Sequence, residues 1–336
     1  MTIKKPFCRA FTLICAVVAI CFCKQISAAE MKLQSKLLFS SPDPIVALAA
    51  DKNQTVYAVI YGSGDILKIS SNGTSQKIYS GLKSCSFGGF AALTVLPNGD
   101  LAAYDCVDEK SSVIKIDPAG NKTTLATLDK DFNLMSMTSD PSGNIYLGYW
   151  TSGQANLTVS SNPNHISAAE DITGIVAMID AGGKLKPVFE GGIPIALSAP
   201  ENNRPYAVVW GKKGPFSSKS RKYSYCAATT AFWAVLSEQV QIINILEAQK
   251  SIPAFKNLNS VCALAVQENG TAFAAGKTET GSCGIYYLQQ GVDPEKVLFP
   301  EAGMDENITA LAASSKSLYL ANVKGNIFKA KLSTAR

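Results

Sequence analysis

Six segments of the chain share one pattern, and this repetition most constrains the fold. Each segment begins with an apolar stretch in which a small residue precedes Leu or Met, passes through a turn of Asn, Gly, Asp, Pro or Ser, and ends in a second apolar stretch. Such a segment is a strand, a tight turn and a second strand. The six segments begin at Ile45, Phe90, Leu134, Pro194, Val261 and Ile308.

A third apolar stretch and, in most repeats, a fourth follow each strand pair, and Asn-Gly, Ala-Gly or Gly-Gly pairs mark the turns between them. The repeats begin 45, 44, 60, 67 and 47 residues apart. A unit of about 45 residues with four antiparallel strands is typical of a β-propeller blade. The sequence therefore predicts an all-β fold, a six-bladed β-propeller of four-stranded antiparallel blades.

The last repeat supplies only three strands, because the sequence ends with GNIFKAKLSTAR at residues 325–336. An unpaired apolar strand at a sheet edge favours aggregation. An apolar stretch, KLQSKLLFS at residues 32–40, precedes the first repeat. We predict that this N-terminal strand pairs with the last blade and closes the ring.

Several turns and one third strand carry a family resemblance. The turns Leu96–Asp100 and Asp140–Asn144, and the strand and turn Val113–Gly120, resemble those of six-bladed propellers of the NHL-repeat and SMP-30/gluconolactonase-like group. The enzymes of that group hold a divalent cation on the channel axis with Glu, Asn and Asp. The resemblance thus implies the propeller fold and, as an alternative function, a divalent-metal-dependent hydrolase of the lactonase or phosphotriesterase kind. The corresponding ligand set is not identified in this sequence.

Residues 1–29 are typical of a secretory signal peptide. A short basic stretch precedes 14 apolar residues, and Ser27 and Ala29 occupy the −3 and −1 positions of a cleavage site. The apolar run is shorter than the ~20 residues of a membrane span. We expect an exported protein, periplasmic or extracellular, with residues 30–336 as a single propeller domain and no transmembrane segment after cleavage. An uncleaved anchor or a lipid on Cys21 is the alternative.

Removal of the signal peptide brings the net charge close to zero. Four of the 31 basic residues lie within it, which leaves 27 basic against 26 acidic residues. This balance, in an exported chain without a recognised binding motif, argues against nucleic acid as a partner.

Two inserts, near residues 151–173 and 211–229, lengthen the third and fourth repeats. Both follow a second strand, so both are expected on the propeller face that also carries the loops between consecutive blades. Loops on a rigid scaffold often carry function. We therefore predict the ligand-binding face here.

The predicted ligand-binding residues lie beside or within these inserts: Tyr149, Trp150, Trp210, Lys212, Lys213, Lys219, Arg221 and Lys222. The aromatic rings suit a protein or a glycan. The basic residues suit an anionic envelope component or another acidic partner. The alternative for the aromatic residues is packing between sheets. The alternative for the basic residues is an ordinary solvated loop.

Motifs for catalysis are scarce in this sequence. Its one histidine, His165, lies in a polar insert, and no G-x-S-x-G occurs. Asp129 and Asp131 are a weak candidate for a calcium site, because Leu134 stands where an EF-hand loop needs Gly. No other cofactor is expected. We therefore favour a non-catalytic binding or scaffold module over the hydrolase.

Five cysteines remain after signal cleavage, and an oxidising compartment makes disulfides plausible. Within each of two pairs the cysteines are 21 residues apart, and the strand pattern places both pairs on the predicted functional face. We predict the disulfides Cys85–Cys106 and Cys262–Cys283, with Cys226 unassigned. Buried or reduced thiols are the alternative.

Overall fold

The computed structural model describes the chain from residue 31 to residue 332, with gaps. The described residues are 31–83, 92–107, 110–128, 133–152, 172–191, 193–199, 205–210, 223–225, 234–236, 240–244, 258–267, 271–278, 283–288, 295–299 and 308–332. The predicted signal peptide and most of both inserts lie outside them. Regular structure in these residues consists of strands, and they include no apolar helix long enough to cross a membrane.

The described residues form 26 strands. The first fourteen are β1 (Met31–Lys32), β2 (Ser35–Ser40), β3 (Ile45–Ala50), β4 (Val56–Ile60), β5 (Ile66–Ile69), β6 (Ser75–Tyr79), β7 (Leu93–Val95), β8 (Leu101–Val107), β9 (Lys110–Ile116), β10 (Lys122–Thr127), β11 (Asn133–Ser139), β12 (Ile145–Ser152), β13 (Ile172–Ile179) and β14 (Leu185–Gly191). The remaining strands are β15 (Ile193–Ser198), β16 (Tyr206–Trp210), β17 (Tyr223–Tyr225), β18 (Ala234–Leu236), β19 (Val240–Asn244), β20 (Leu258–Val266), β21 (Ala272–Thr278), β22 (Cys283–Leu288), β23 (Glu295–Leu298), β24 (Ile308–Ala313), β25 (Ser317–Asn322) and β26 (Asn326–Lys331).

Consecutive strands pair antiparallel into sheets, which we number in chain order. Sheets 1, 2 and 3 are β3–β6, β7–β10 and β11–β14; sheet 4 is β15, β16 and β19; sheet 5 is β20–β23; and sheet 6 is β24–β26 with β2. Strands β17 and β18 form a separate hairpin. The predicted all-β propeller with four-stranded antiparallel blades is confirmed. The predicted count of six such blades is wrong: five sheets have this form, because sheet 4 has three strands among the described residues.

The N-terminal segment contacts the edges of two sheets. Strand β2 runs antiparallel to β26, with Leu37 opposite Phe328 and Ser40 opposite Asn326. Strand β1 pairs parallel with β23 at the edge of sheet 5, a contact that the sequence did not predict. Leu33, between β1 and β2, is buried in the apolar core shared by sheets 5 and 6. The apolar edge of the last repeat is therefore covered by β2.

The first strand of each sheet, which we call its inner strand, contacts the inner strands of the neighbouring sheets. β3 contacts β7, and the series continues through β11, β15, β20 and β24 back to β3. In β3, Ala47 and Ala49 pack against sheet 2, whereas Leu48 packs against sheet 6. In the repeated pair, the small residue thus allows a close contact with the sheet on one side of the strand. The Leu or Met fills the wider gap on the other side.

Glycines with positive φ close several of the turns. In the turn from Asp140 to Asn144, the amide of Gly143 donates to the Asp140 carbonyl, and Gly143 has a φ of 84°. Gly325 has a φ of 78° in the corresponding position between β25 and β26. A Cβ atom at Gly325 would also clash with the carbonyl oxygens of Ser41 and Asp43. Only glycine therefore allows the N-terminal segment to approach this turn so closely.

We expect Gly325→Ala to lower the free energy of unfolding by about 3 kcal/mol or more, because it combines an unfavourable φ with a backbone clash. Gly143→Ala is the matched control: its φ is also positive, but nothing lies within 4 Å of the added Cβ. We expect that variant to lose only about 1 kcal/mol. Urea unfolding measures both. Equal losses would contradict the close approach at Gly325.

Candidate binding cavity and loop rim

A cavity of about 550 Å³ lies where the inner strands end and their following turns begin. This volume is within the roughly 300–1,000 Å³ of small-molecule sites. The last residues of all six inner strands contribute to its wall, among them Ala50, Val95, Ser139, Ser198, Val266 and Ala313. The cavity is therefore on the axis around which the sheets are arranged, at the end opposite the predicted ligand-binding face.

Hydroxyl groups and methyl groups occupy different parts of the cavity wall. The residue directly after the Leu or Met of the inner strand carries a hydroxyl in sheets 2, 3 and 4, and is alanine in sheets 1, 5 and 6. The hydroxyl residues at this position are Thr94, Thr138 and Ser198, and the alanines are Ala49, Ala265 and Ala312. We call Thr94, Thr138, Ser139 and Ser198 the hydroxyl arc.

Two members of the hydroxyl arc accept hydrogen bonds from the next inner strand. The backbone amide of Ala199 in sheet 4 donates to Thr138 Oγ1 at 3.1 Å. The backbone amide of Val266 in sheet 5 donates to Ser198 Oγ at 2.9 Å. These bonds satisfy amides at the open edge of the inner strands and hold both hydroxyls in place.

The other two members connect sheets 2 and 3. Ser139 Oγ donates to the carbonyl of Val95 at 2.7 Å and lies 2.9 Å from Thr94 Oγ1. Because the single hydrogen of Ser139 goes to the carbonyl, Thr94 is the donor in the contact between the two hydroxyls. Together with the two amide contacts, the arc thus links four consecutive sheets, from sheet 2 to sheet 5.

The acidic residues at the cavity mouth stabilise their own turns. Asp140 accepts the backbone amide of Asn144 at 2.9 Å, the side-chain amide of Asn144 at 2.8 Å and the Tyr146 hydroxyl at 3.1 Å. Burial, followed by the charge of Asp140, raises the pKa of Tyr146 well above its usual range, so this hydroxyl stays protonated and donates. Asp51 accepts the backbone amide of Thr55 at 2.8 Å.

These carboxylates do not fit a divalent cation. Both oxygens of Asp140 already accept hydrogen bonds from amides and a phenol, and in the part of the chain that the structure describes no three His, Cys, Asp or Glu residues come together as metal ligands. The predicted calcium candidates, Asp129 and Asp131, lie outside that part. Metal binding at these two residues stays a prediction.

The opposite ends of the inner strands carry β-bulges. The pairing of inner and second strands shifts register near the beginning of β3, β11, β15, β20 and β24. In β24 the extra residue is Thr309, and its Oγ1 is buried with no hydrogen-bond partner among the described residues. Ser136 Oγ, beside the bulge of β11, is in the same situation. Bulges are common next to active sites, and unpaired buried hydroxyls are rare enough to need an explanation.

Asp105 lies on this same side of the sheets, where it contacts the chain segment that enters sheet 2. Its side chain is 1% exposed, with Oδ2 2.7 Å from Lys122 Nζ. Its Oδ1 accepts the backbone amide of Lys83 at 3.1 Å. The hydrogen bond to Asp105 raises the pKa of Lys122. Asp105 therefore fixes the chain that enters sheet 2 against the end of β8.

The structure gives different outcomes for the two predicted disulfides. Cys106 is buried and disulfide-bonded, and its amide donates to the carbonyl of Lys83 at 3.0 Å, two residues before Cys85. The partner lies outside the described residues, so the pair Cys85–Cys106 stays a prediction. Cys262 and Cys283 lie on β20 and β22, with β21 between them. Two strand spacings are about 10 Å, whereas a disulfide needs Cα atoms within about 7 Å. The topology contradicts the predicted Cys262–Cys283 bond.

The structure describes the side chain of one predicted ligand-binding residue, Tyr149. Tyr149 is 5% exposed and packs in the core between sheets 2 and 3, which is the packing alternative considered for the aromatic residues. Trp150 and Trp210 lie in β12 and β16, but their side chains are not among the described groups. The basic residues also lie outside the described part of the chain: Lys212, Lys213, Lys219, Arg221 and Lys222. The sequence analysis missed the hydroxyl arc, although Thr or Ser follows the Leu or Met in three consecutive repeats.

No family model and no curated protein matches this sequence. Solved structures do share its fold. A calcium-binding protein from Agrobacterium tumefaciens, regucalcin, is 12% identical, with a TM-score of 0.54 over 89% of this chain and 94% of its own. A gluconolactonase from Xanthomonas campestris is 11% identical, with a TM-score of 0.51 over 89% of each chain. A PQQ-bound aldose sugar dehydrogenase from Streptomyces coelicolor is 12% identical, with a TM-score of 0.56 over 88% and 97%.

At these identities the likeness establishes the fold, and it agrees with the gluconolactonase-like group that the sequence resembles. The names of these neighbours also correct the functional preference. A gluconolactonase and a sugar dehydrogenase are enzymes, so the preference for a non-catalytic binding or scaffold module is not retained. The neighbours also include a calcium-binding and a PQQ-bound protein.

We expect Lys122→Met to lower the free energy of unfolding by about 2 kcal/mol, because it leaves the buried Asp105 carboxylate without its cation. The loss is less than for a fully buried pair, since 38% of the Lys122 side chain is exposed. Lys115→Met is the matched control: it is 37% exposed, its contact with Asp100 is longer at 3.5 Å, and its loss should stay below about 1 kcal/mol.

The difference in free energy of unfolding between wild type and Lys122→Met should depend on pH. Because Asp105 raises the pKa of Lys122 in the folded state, this stabilisation is complete below the ordinary lysine pKa of 10.5 and is lost as the pH rises through the folded value. Denaturant titrations should therefore show a constant difference between wild type and Lys122→Met at pH 7–9 and a smaller difference above about pH 10.5. A difference that disappears by pH 9 would contradict this assignment.

Non-reducing peptide mapping tests the disulfide prediction. We expect a linked Cys85–Cys106 peptide and no link between Cys262 and Cys283. The bond closes a loop between residues 21 apart, so Cys85→Ser should lower the free energy of unfolding by about 3 kcal/mol under oxidising conditions. The same substitution should have a far smaller effect in reductant. A free Cys85 thiol in the oxidised protein would rule the pairing out.

Proposed function

We propose that this chain is a catalytic β-propeller that hydrolyses a small polar substrate near the ring axis, in the manner of a lactonase or phosphotriesterase. The observation that carries the proposal is the pair of unpaired buried hydroxyls, Ser136 Oγ and Thr309 Oγ1, on bulged inner strands. A buried hydroxyl without a partner costs about 1–3 kcal/mol. A polar substrate at this end of the axis would supply the missing bonds.

The proposal includes a ring of six units, in which the three-stranded sheet 4 is a unit beside the five four-stranded sheets. The ring is closed between sheets 6 and 1. The contact between β24 and β3 supports this closure. So does Gln54 in sheet 1, whose carbonyl accepts the Tyr319 hydroxyl at 3.3 Å and whose side chain accepts Lys329 Nζ at 2.8 Å, both from sheet 6. Gln54 holds a φ of 64°, which is strained for a residue other than glycine and persists only where surrounding contacts fix it.

The fold neighbours support the class of reaction. A gluconolactonase acts, by its name, on a lactone of a sugar acid, and it shares this fold over most of both chains. Hydrolysis of a lactone adds water across the acyl C–O bond and yields a carboxylic acid and a hydroxyl group. Loops that enter the inner strands meet the bulged ends, and Asp105 fixes one of them through Lys83. Substrate recognition is therefore proposed on this side of the ring.

A divalent cation would polarise a carbonyl or phosphoryl oxygen if the protein binds one. The described carboxylates do not form such a site, and we derive no step through a metal. Asp129 and Asp131 remain the candidates from the sequence. Metal analysis of the purified protein, compared with an Asp129→Asn/Asp131→Asn variant, determines whether these residues hold a cation.

Export and an envelope setting belong to the proposal as well. The leader pattern in residues 1–29 supports export, and the disulfide at Cys106 is what an oxidising compartment favours. In that setting, Trp150, Trp210 and the basic insert would serve recognition of a protein, glycan or anionic envelope component rather than catalysis.

The test is an assay of residues 30–336 on glucono-δ-lactone and an aryl phosphotriester, each with EDTA or with added Ca²⁺, Mn²⁺ or Zn²⁺. We expect hydrolysis of at least one substrate and a decrease of at least about tenfold in kcat/KM in Thr309→Val, which corresponds to about 1.4 kcal/mol. The thermal midpoint of this variant should stay equal or rise, because a buried unpaired hydroxyl is removed.

Thr124→Val, on the exposed side of the outer strand β10, is the matched control and should keep full activity. Failure to hydrolyse either substrate under every metal condition would overturn the proposal. Unchanged kcat/KM in Thr309→Val would remove Thr309 from the site.

A further inference from the structure

We propose that the cavity at the ends of the inner strands is a second binding site, for an uncharged small molecule that has hydrogen-bond acceptors along one edge and an apolar opposite edge. This site is at the other end of the inner strands from the bulges that carry the proposed function. It therefore stands whether or not the protein is a hydrolase.

The hydroxyl arc provides the polar edge of this site. A hydroxyl has one hydrogen to donate and two lone pairs that accept. The oxygens of Thr138 and Ser198 accept the amides of Ala199 and Val266, and these contacts leave the hydroxyl hydrogens unused. The hydrogen bonds found among the described residues assign no acceptor to either hydrogen. Two donors on adjacent sheets are thus available to a ligand.

The donors are also held in position before any ligand binds. Each oxygen is fixed by an amide of the neighbouring inner strand at 3.1 or 2.9 Å, so its side chain has little rotational freedom to lose on binding. Backbone strands are more rigid than loops and hold site residues more accurately. A ligand with acceptors spaced to match two neighbouring sheets would therefore be selected by geometry.

Alanine side chains provide the apolar edge. Ala49, Ala265 and Ala312 line the cavity from sheets 1, 5 and 6 and are each at most 7% exposed. Their methyl groups offer no hydrogen bond, so a polar group placed against them would lose its contacts with water. A ligand that presents an apolar face on this side avoids that penalty.

Charge at the cavity favours a neutral ligand. The charged residues of its wall are Asp51, Lys52 and Asp140. The two carboxylates repel an anion, and a cation gains little from Asp140, whose oxygens already accept three hydrogen bonds. Lys52 is exposed, so solvent screens it. An uncharged molecule meets none of these penalties.

The probe pair phenyl β-D-glucopyranoside and phenyl β-D-glucuronide tests the proposal by titration calorimetry and ligand-observed NMR. Both have one hydroxylated and one aromatic edge, and only the glucuronide is an anion. We expect the glucoside to bind at least about tenfold more tightly. Thr138→Val and Ser198→Ala should each weaken glucoside binding by about three- to tenfold, the effect of one lost hydrogen bond.

Two further variants separate a lost donor from a disturbed fold. Thr138→Ser keeps the hydroxyl and should restore glucoside binding to within about twofold of wild type. Ser112→Ala removes a half-buried hydroxyl that donates to the Asp105 carbonyl outside the cavity, and should leave binding unchanged. The proposal is overturned if the glucoside does not bind, if the glucuronide binds as tightly, or if Thr138→Val binds like wild type.

Discussion

Close packing of the inner strands is the constraint on which the rest of this structure depends. Sheets that converge on an axis leave little space between their first strands, and alanine on one side of β3 meets that limit while Leu48 fills the wider gap on the other. Every later strand of a sheet lies farther from the axis and tolerates larger side chains, such as Tyr146 and Phe273, both 2% exposed or less. The repeated pair of a small residue and Leu or Met therefore reflects the position of the inner strands close to the axis.

Sheets 6 and 1 are joined by noncovalent contacts among the described residues. Strand β2 completes sheet 6, and β1 reaches back to sheet 5, so one short segment joins two sheets that the chain forms last. Gln54 then joins sheet 6 to sheet 1 through a strained backbone conformation and three polar contacts. Both sets of contacts join neighbouring sheets through residues outside the regular strand pairing of a single repeat.

Local patterns explain what the sequence could predict. Strand alternation, Gly at positive φ in turns such as Gly143, and the apolar stretch that became β2 each follow from a few neighbouring residues. Strand β1 has two residues and hence no pattern to detect. The Cys262–Cys283 prediction considered only the shared face, although the repeat pattern itself puts the second strand, β21, between the first and the third. The preference for a non-catalytic module failed for a related reason: a propeller assembles its site from separate sheets, so an absent local motif says little.

The hydroxyl residues of the inner strands have opposite energetic effects at the two ends of the axis. At the turn end, the oxygens of Thr138 and Ser198 accept amides that have no partner within their own sheet, so these residues stabilise the fold and keep a hydrogen to donate. At the bulged end, the buried oxygens of Ser136 and Thr309 have no hydrogen-bond partner among the described residues, an arrangement that is unfavourable for folding unless another group bonds to them. Sequence alone does not distinguish the two cases, because the residue types are the same. The difference lies in position along the inner strand: Thr138 and Ser198 lie beside an amide of the neighbouring inner strand, whereas Ser136 and Thr309 lie at the bulged end.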